Sequence, residues 1–218
     1  MTDWIQRWKD GKIGWHRDQV NSKLIEFIDC LQLNRGDTVF VPLCGKSADM
    51  IYLLEQGFKV IGVELSQLAI EQFFDENNLT YTACQLDRLT AYQGKNIALY
   101  CGDYFALDHS VLKSVSAVYD RAALIALPID LRAKYVQHLY SIISKDCRVL
   151  LLTLNYPQSQ MGGPPFAVNK DEVVSLFSKG FECQQLQCFN DIKNEPKFLR
   201  AGVEFIEKAT YCLRKTGE

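Results

Sequence analysis

Apolar positions along the chain alternate between two periodicities. Short strand-type runs at residues 39–41, 59–63, 97–101, 115–119 and 148–154 are separated by stretches with helical spacing. Helices are predicted over 47–56, from Ser66 through Ile70, Phe73 and Phe74, over 131–143 and over 171–178. Ahead of the first strand, residues 3–9 form a short helix. Val20, Leu24, Ile25, Ile28 and Leu31 recur at i, i+4 and i+8 and give a second. Residues 81–95 are a polar insertion that suits a hairpin, and strands near 181–189 and 203–214 close the chain. Five strands with helical crossovers, then two with little helix between, predict an α/β fold. The sheet is doubly wound, seven-stranded and mostly parallel, with one antiparallel strand and the last pair added as a hairpin at one edge. No repeat, low-complexity tract or linker divides residues 1–218, so one domain is expected.

The first strand runs into the turn Pro42-Leu43-Cys44-Gly45-Lys46, and Glu64 closes the second strand. In an open α/β sheet the ligand crevice lies outside the carboxyl ends of the strands, where an acid can accept both hydroxyls of a ribose. Gly45-Lys46-Ser47 ends like a phosphate-binding loop, but Phe40 stands where the loop's first glycine belongs. A dinucleotide turn needs several glycines for the backbone to approach a pyrophosphate, and this turn has Gly45 alone. A nucleoside without phosphates, such as S-adenosylmethionine, fits better. The competing reading, a turn with no binding role, is weakened by Glu64 at the next strand end.

Composition narrows the classes further. A chain of 218 residues with 48% hydrophobic content can bury ~70% of its unfolded surface around one core. A net charge of −2 without a long basic run argues against a nucleic-acid partner. No apolar stretch is long enough to span a bilayer and the amino terminus has no signal core, so a soluble, cytoplasmic protein without a membrane partner is expected. The eight cysteines form no C-x-x-C pair, and His16, His109 and His138 lie far apart. Reduced, structural thiols and no metal are expected.

Several motifs, in order along nearly the whole chain, carry a resemblance. They are Trp4-Ile-Gln-Arg-Trp8, Gly-Lys-Ile-Gly-Trp15-His16, Val-Pro-Leu43-Cys44-Gly45-Lys46, Gly-Val-Glu64-Leu65-Ser66, Gly-Asp103-Tyr104-Phe, Tyr-Asp120-Arg121-Ala-Ala-Leu and Gly163-Pro164-Pro165-Phe166. Together they resemble the thiopurine S-methyltransferase family, and within it the shorter bacterial members, since no long extension precedes Trp4. The resemblance implies S-adenosylmethionine as methyl donor, S-adenosylhomocysteine as product, and a monomer acting on small thiols. It makes residues 1–32 a helical lid, with Trp4 and Trp8 folding over the donor. Leu43 and Gly45 line its methionine and ribose, Glu64 and the adjoining Leu65 belong to the ribose site, and Asp103 and Tyr104 lie beside the adenine. Arg121 stands near the transferring methyl group and the acceptor. Trp15 replaces a phenylalanine that contacts both ligands and enlarges the aromatic wall. A second family arginine, near the carboxyl-terminal strands, falls on Lys197 or Arg200, with Arg200 taken as an acceptor contact.

Elementary chemistry supports part of this. Trp4 and Trp8 share a helix face, and indole faces attract cations such as a sulfonium. Arg121 follows Asp120 at a strand end, where a surface ion pair is the bland alternative. In the crevice its charge favours a deprotonated thiol. Pro164-Pro165-Phe166 superficially matches the Pro-Pro-aromatic motif of enzymes that methylate flipped adenines. The residue before it is Gly163, which has no side chain to hold an amino group. The stiff segment suits a wall of the acceptor pocket, with Phe166 as a stacking face. Three other readings stay open: methylation of reduced selenium or tellurium compounds, a catalytically idle donor-binding module, and a nicotinamide reductase.

Overall fold

The computed structural model describes residues 2–217. In chain order, α1 (Trp4–Lys9) and α2 (Ser22–Phe27) precede β1 (Thr38–Val41), α3 (Ala48–Glu55), β2 (Lys59–Glu64) and α4 (Gln67–Glu76). Next come β3 (Tyr81–Gln85), β4 (Thr90–Gly94), β5 (Ile97–Cys101), α5 (His109–Leu112) and β6 (Val115–Arg121). The chain ends with α6 (Ile129–Ile142), β7 (Arg148–Asn155), α7 (Lys170–Phe177), β8 (Phe181–Asn190), α8 (Pro196–Arg200) and β9 (Glu207–Lys215).

All strands join one sheet in the order β3-β4-β5-β2-β1-β6-β7-β9-β8. Strands β5, β2, β1, β6 and β7 are mutually parallel, and β9 pairs antiparallel with both β7 and β8. The sheet therefore has nine strands where the sequence pattern predicts seven. The extra two are the polar insertion: β3 and β4 form an antiparallel hairpin, and β4 pairs antiparallel with β5. Two aromatic contacts hold it, Phe74 to Tyr81 at 4.7 Å and Tyr81 to Tyr92 at 5.3 Å between ring centroids. With β3 otherwise exposed, such cross-strand packing outweighs a polar sequence.

The central strand explains the double winding. Phe40 packs on one face, with Tyr135, Leu139 and Phe177 from α6 and α7. Val39 and Val41 pack on the other, with Leu24, Met50, Leu53, Phe73 and Phe74 from α2, α3 and α4. A strand buried on both faces reads as a continuous apolar run, as β1 does. A smaller cluster of Tyr156, Phe198, Val203 and Ile206 lies in the segments between β7 and β9. The predicted helix over Val20–Leu31 is an α-helix only to Phe27 and tightens into a 3₁₀ turn at Ile28–Leu31. None of the described helices is long and apolar enough to cross a membrane.

Candidate active site

The carboxyl ends of β1, β2 and β6 converge, and the turn after β1 is shaped to meet β2. Leu43 and Gly45 both have positive φ, at 47° and 54°. The Cys44 amide donates to the Val63 carbonyl at 2.9 Å, which docks the turn on β2. Gly62 makes that approach feasible, because a Cβ there would lie 2.8 Å from the Cys44 sulfur. Burial pushes the Cys44 thiol well up, so it acts as a small apolar group.

The docked turn brings together the two residues singled out in the sequence. Gly45 N–H donates to Glu64 Oε2 at 2.9 Å, and Ser66 N–H donates to Oε1 at 2.9 Å. Glu64 is only 6% exposed. Burial raises its pKa, opposed by backbone N–H groups of Ser66, Gly45 and Leu65. Ser66 is the N-cap of α4, so the carboxylate also sits at the positive end of a helix. Each oxygen carries a second lone pair beyond its backbone bond. Such a group can accept a pair of hydroxyls, and the turn beside it has no phosphate cradle. The residues fit a phosphate-free nucleoside.

An aromatic cluster lies over this turn. The Trp8 indole packs on Gly45, where an added Cβ would meet Cζ2 at 3.1 Å. Trp15 makes edge contacts with Trp4 at 5.1 Å and Trp8 at 5.9 Å, and the Arg7 guanidinium lies over both Trp4 and Trp15. Arg7 at the fourth position of the helix thus helps to hold Trp15, a role sequence reading did not assign.

Arg121 does not pair with its neighbour Asp120, because alternate strand residues face opposite sides of the sheet. Arg121 Nη2 donates to the Trp15 carbonyl at 3.5 Å, and Nη1 lies 4.0 Å from Asp49 Oδ2. Asp120 points into the other core layer, accepting from the Tyr135 hydroxyl at 2.7 Å and Leu124 N–H at 3.1 Å. Burial raises its pKa to about 6 despite those bonds.

At the β5 end, Gly102 N–H donates to the Glu64 carbonyl at 2.9 Å, so the Asp103 loop adjoins the Glu64 site. Asp103 is exposed and caps a second 3₁₀ turn, Tyr104–Ala106, by accepting from Phe105 N–H at 3.0 Å; Leu65 is 42% exposed at the same rim. Tyr104 lies elsewhere: its side chain is buried against Tyr135 and His138, and its hydroxyl donates to the Tyr135 carbonyl at 3.2 Å. Its neighbour Phe105 is the more exposed ring.

Pro164, Pro165 and Phe166 lie beside the stretch that follows Arg121. Phe166 N–H donates to the Ile125 carbonyl at 2.7 Å, and the Tyr156 hydroxyl donates to the Pro165 carbonyl at 2.6 Å. Arg132 pins the same segment. It donates to the carbonyls of Leu127 and Ala167, pairs with Glu172 at 2.6 Å and lies 5.9 Å from the Phe166 ring centroid. Lys197 and Arg200 stay exposed on α8, whose Phe198 anchors it on Tyr156, and neither joins the Arg121 cluster. All eight cysteines are free, and no group of metal-ligating residues forms among the described residues.

A buried acid at the end of β2, a glycine-poor turn and a sheet reversed at β9 define an S-adenosylmethionine-dependent methyltransferase. Solved structures share the fold. Burkholderia thailandensis 1,6-didemethyltoxoflavin-N1-methyltransferase, determined with 1,6-didemethyltoxoflavin and S-adenosylhomocysteine, aligns with a TM-score of 0.66 at 17% identity over 99% of this chain and 86% of that one. A SAM-dependent methyltransferase from Anabaena variabilis gives 0.64 at 17% identity, covering 97% and 93%.

The chain belongs to the thiopurine S-methyltransferase family, whose model matches residues 1–216. It is 42% identical over 214 residues to the thiopurine S-methyltransferase of Bordetella petrii, covering 98% of each chain. It is 43% identical over 217 residues to that of Xanthomonas campestris pv. campestris, covering 97% of each.

Proposed function

We propose that this protein transfers a methyl group from S-adenosylmethionine to the sulfur of thiopurines or other small aromatic thiols, as a cytoplasmic monomer. The observation that carries the reading is the buried Glu64 carboxylate, bonded to Gly45 N–H, with Arg121 at a nearby strand end. When bound, the donor supplies an electrophilic methyl group on a sulfonium. Glu64 would accept the ribose hydroxyls, Leu43 and Gly45 would line the methionine side, and Asp103 and Leu65 would form the rim at the adenine. With Trp8 seated on Gly45, α1 shifts to admit the donor, and Trp4, Trp8 and Trp15 then exclude water above it. Tyr104 supports the adenine end from the core, through its backbone and ring packing.

Thiolate attack on a sulfonium removes charge as the transition state forms, so alignment and exclusion of water contribute most, by several kcal/mol. Arg121 favours the deprotonated acceptor by charge attraction. An acidic aromatic thiol then needs no separate general base. Pro164, Pro165 and Phe166 form the acceptor wall, with Arg200 or Lys197 reaching it from α8.

The test is methyl transfer from isotopically labelled S-adenosylmethionine to 6-mercaptopurine, thiophenol and selenite reduced in situ, read by mass spectrometry of the products. S-methylated product from either thiol supports the reading. Donor binding by calorimetry without product from any acceptor refutes it in favour of an idle module, and product from selenium alone reassigns the acceptor.

A further inference from the structure

Asp49 is a buried carboxylate, 1% exposed, on the first turn of α3 and just beyond the Gly45 turn. Its two oxygens serve three different parts of the protein. Oδ1 accepts from the backbone N–H of Asn21 at 2.7 Å, the residue that N-caps α2 in the amino-terminal segment. Oδ2 accepts from the Tyr119 hydroxyl at 3.0 Å and lies 4.0 Å from Arg121 Nη1. Arg121 in turn reaches the Trp15 carbonyl at 3.5 Å. Asp49 is thus held tightly by two partners, while Arg121 is held loosely by two.

A guanidinium is a planar fork whose direction is set by the acceptors on its edges, and catalytic hydrogen bonds tighten as the reacting complex forms. A rigid carboxylate behind a loosely held arginine fixes the arc through which that arginine can swing. The same carboxylate ties Asn21, so the segment carrying Trp15 and the position of Arg121 depend on one group. The geometry points to Asp49 as the positioning residue that aims Arg121 at the acceptor sulfur and couples that aim to docking of the amino-terminal segment. This rests on the role given to Arg121 above.

Three variants of the full chain test it, with kcat for 6-mercaptopurine and calorimetric Kd for S-adenosylhomocysteine measured on each. Asp49→Asn keeps the shape and the Oδ1 acceptor for Asn21 but removes the charge facing Arg121. It is expected to lower kcat at least tenfold and to leave Kd within threefold. Tyr119→Phe removes the 3.0 Å hydrogen bond to Asp49 Oδ2 while sparing the carboxylate facing Arg121, and is expected to lower kcat less than threefold. Asp49→Glu keeps the charge but displaces it by one methylene. It is expected to lose kcat with unchanged Kd, and it carries the test if the asparagine variant fails to fold. An active wild type whose Asp49 variants retain kcat, lose donor affinity in proportion, or match Tyr119→Phe overturns the assignment alone. A wild type that binds S-adenosylhomocysteine but methylates neither 6-mercaptopurine nor thiophenol overturns the underlying reading with it.

Discussion

Replacing Glu64 with glutamine tests the donor site at its most defined point. The two backbone N–H groups of Gly45 and Ser66 approach opposite oxygens of the carboxylate, each at 2.9 Å. Whichever way a glutamine amide is turned, its NH₂ faces one of those donors, and only one oxygen remains to accept from a ribose. The lost bond to a charged acceptor amounts to about 1.5–3 kcal/mol, which corresponds to a Kd raised roughly 10- to 150-fold. Stability should fall as well, by about 1–3 kcal/mol, because the NH₂ leaves one buried backbone N–H without an acceptor, offset in part because the neutral amide removes the cost of burying a charge. Calorimetric titration with S-adenosylhomocysteine avoids turnover and reads the affinity directly, and a thermal melt on the same samples reports the fold. A Kd within about twofold of wild type in a folded variant refutes the ribose assignment.

Arg121→Ala should lower the methylation rate by at least about tenfold while donor affinity stays within a few-fold; a large loss of S-adenosylhomocysteine binding would show that the arginine serves the donor instead. Asp120 has a pKa of about 6 in the protein against 3.8 for the ordinary side chain, so the native state binds the proton more tightly than the unfolded chain. The stabilisation is therefore complete below about pH 4 and lost as pH rises through about 6, a difference of about 3 kcal/mol. Urea unfolding at several pH values should show that slope flatten in Asp120→Asn. Arg132→Met leaves Glu172 and the carbonyls of Leu127 and Ala167 without their partner, which should cost about 3 kcal/mol in unfolding free energy and raise KM for the thiol more than for the donor.

The juxtaposition of Gly45 and Glu64 was legible because both lie in or beside regular elements. Glu64 ends an apolar strand, Gly45 lies in the turn after another, and period alone puts both at the same edge of the sheet. The hairpin was only half legible: residues 81–85 read as polar because β3 is an exposed edge strand, and the aromatic stack through Tyr81 and Tyr92 depends on contacts between separate elements. Tyr104 follows an exposed aspartate at a strand end, a pattern that suggests a surface residue, yet the 3₁₀ turn capped by Asp103 swings its ring beneath α6. Asp49 gave no signal because an acid on the first turn of a helix is ordinary capping chemistry. Its links to Asn21, Tyr119 and Arg121 join positions 28, 70 and 72 residues away in sequence. Neighbours Asp120 and Arg121 look like a pair in one dimension, and strand alternation separates them in three.

The added hairpin also changes which strand the sheet presents to other molecules. Without it, Ile97-Ala98-Leu99-Tyr100 would be the open border, an apolar row of unpaired amides inviting another chain to continue the sheet. With it, that border is Tyr81-Thr82-Ala83-Cys84-Gln85, short and largely polar, which is how natural sheets discourage growth from one molecule to the next. The strand whose end adjoins the Glu64 carboxylate is thereby kept in the interior, and the segment that covers this border also packs closely on Gly102 in the loop beside that acid.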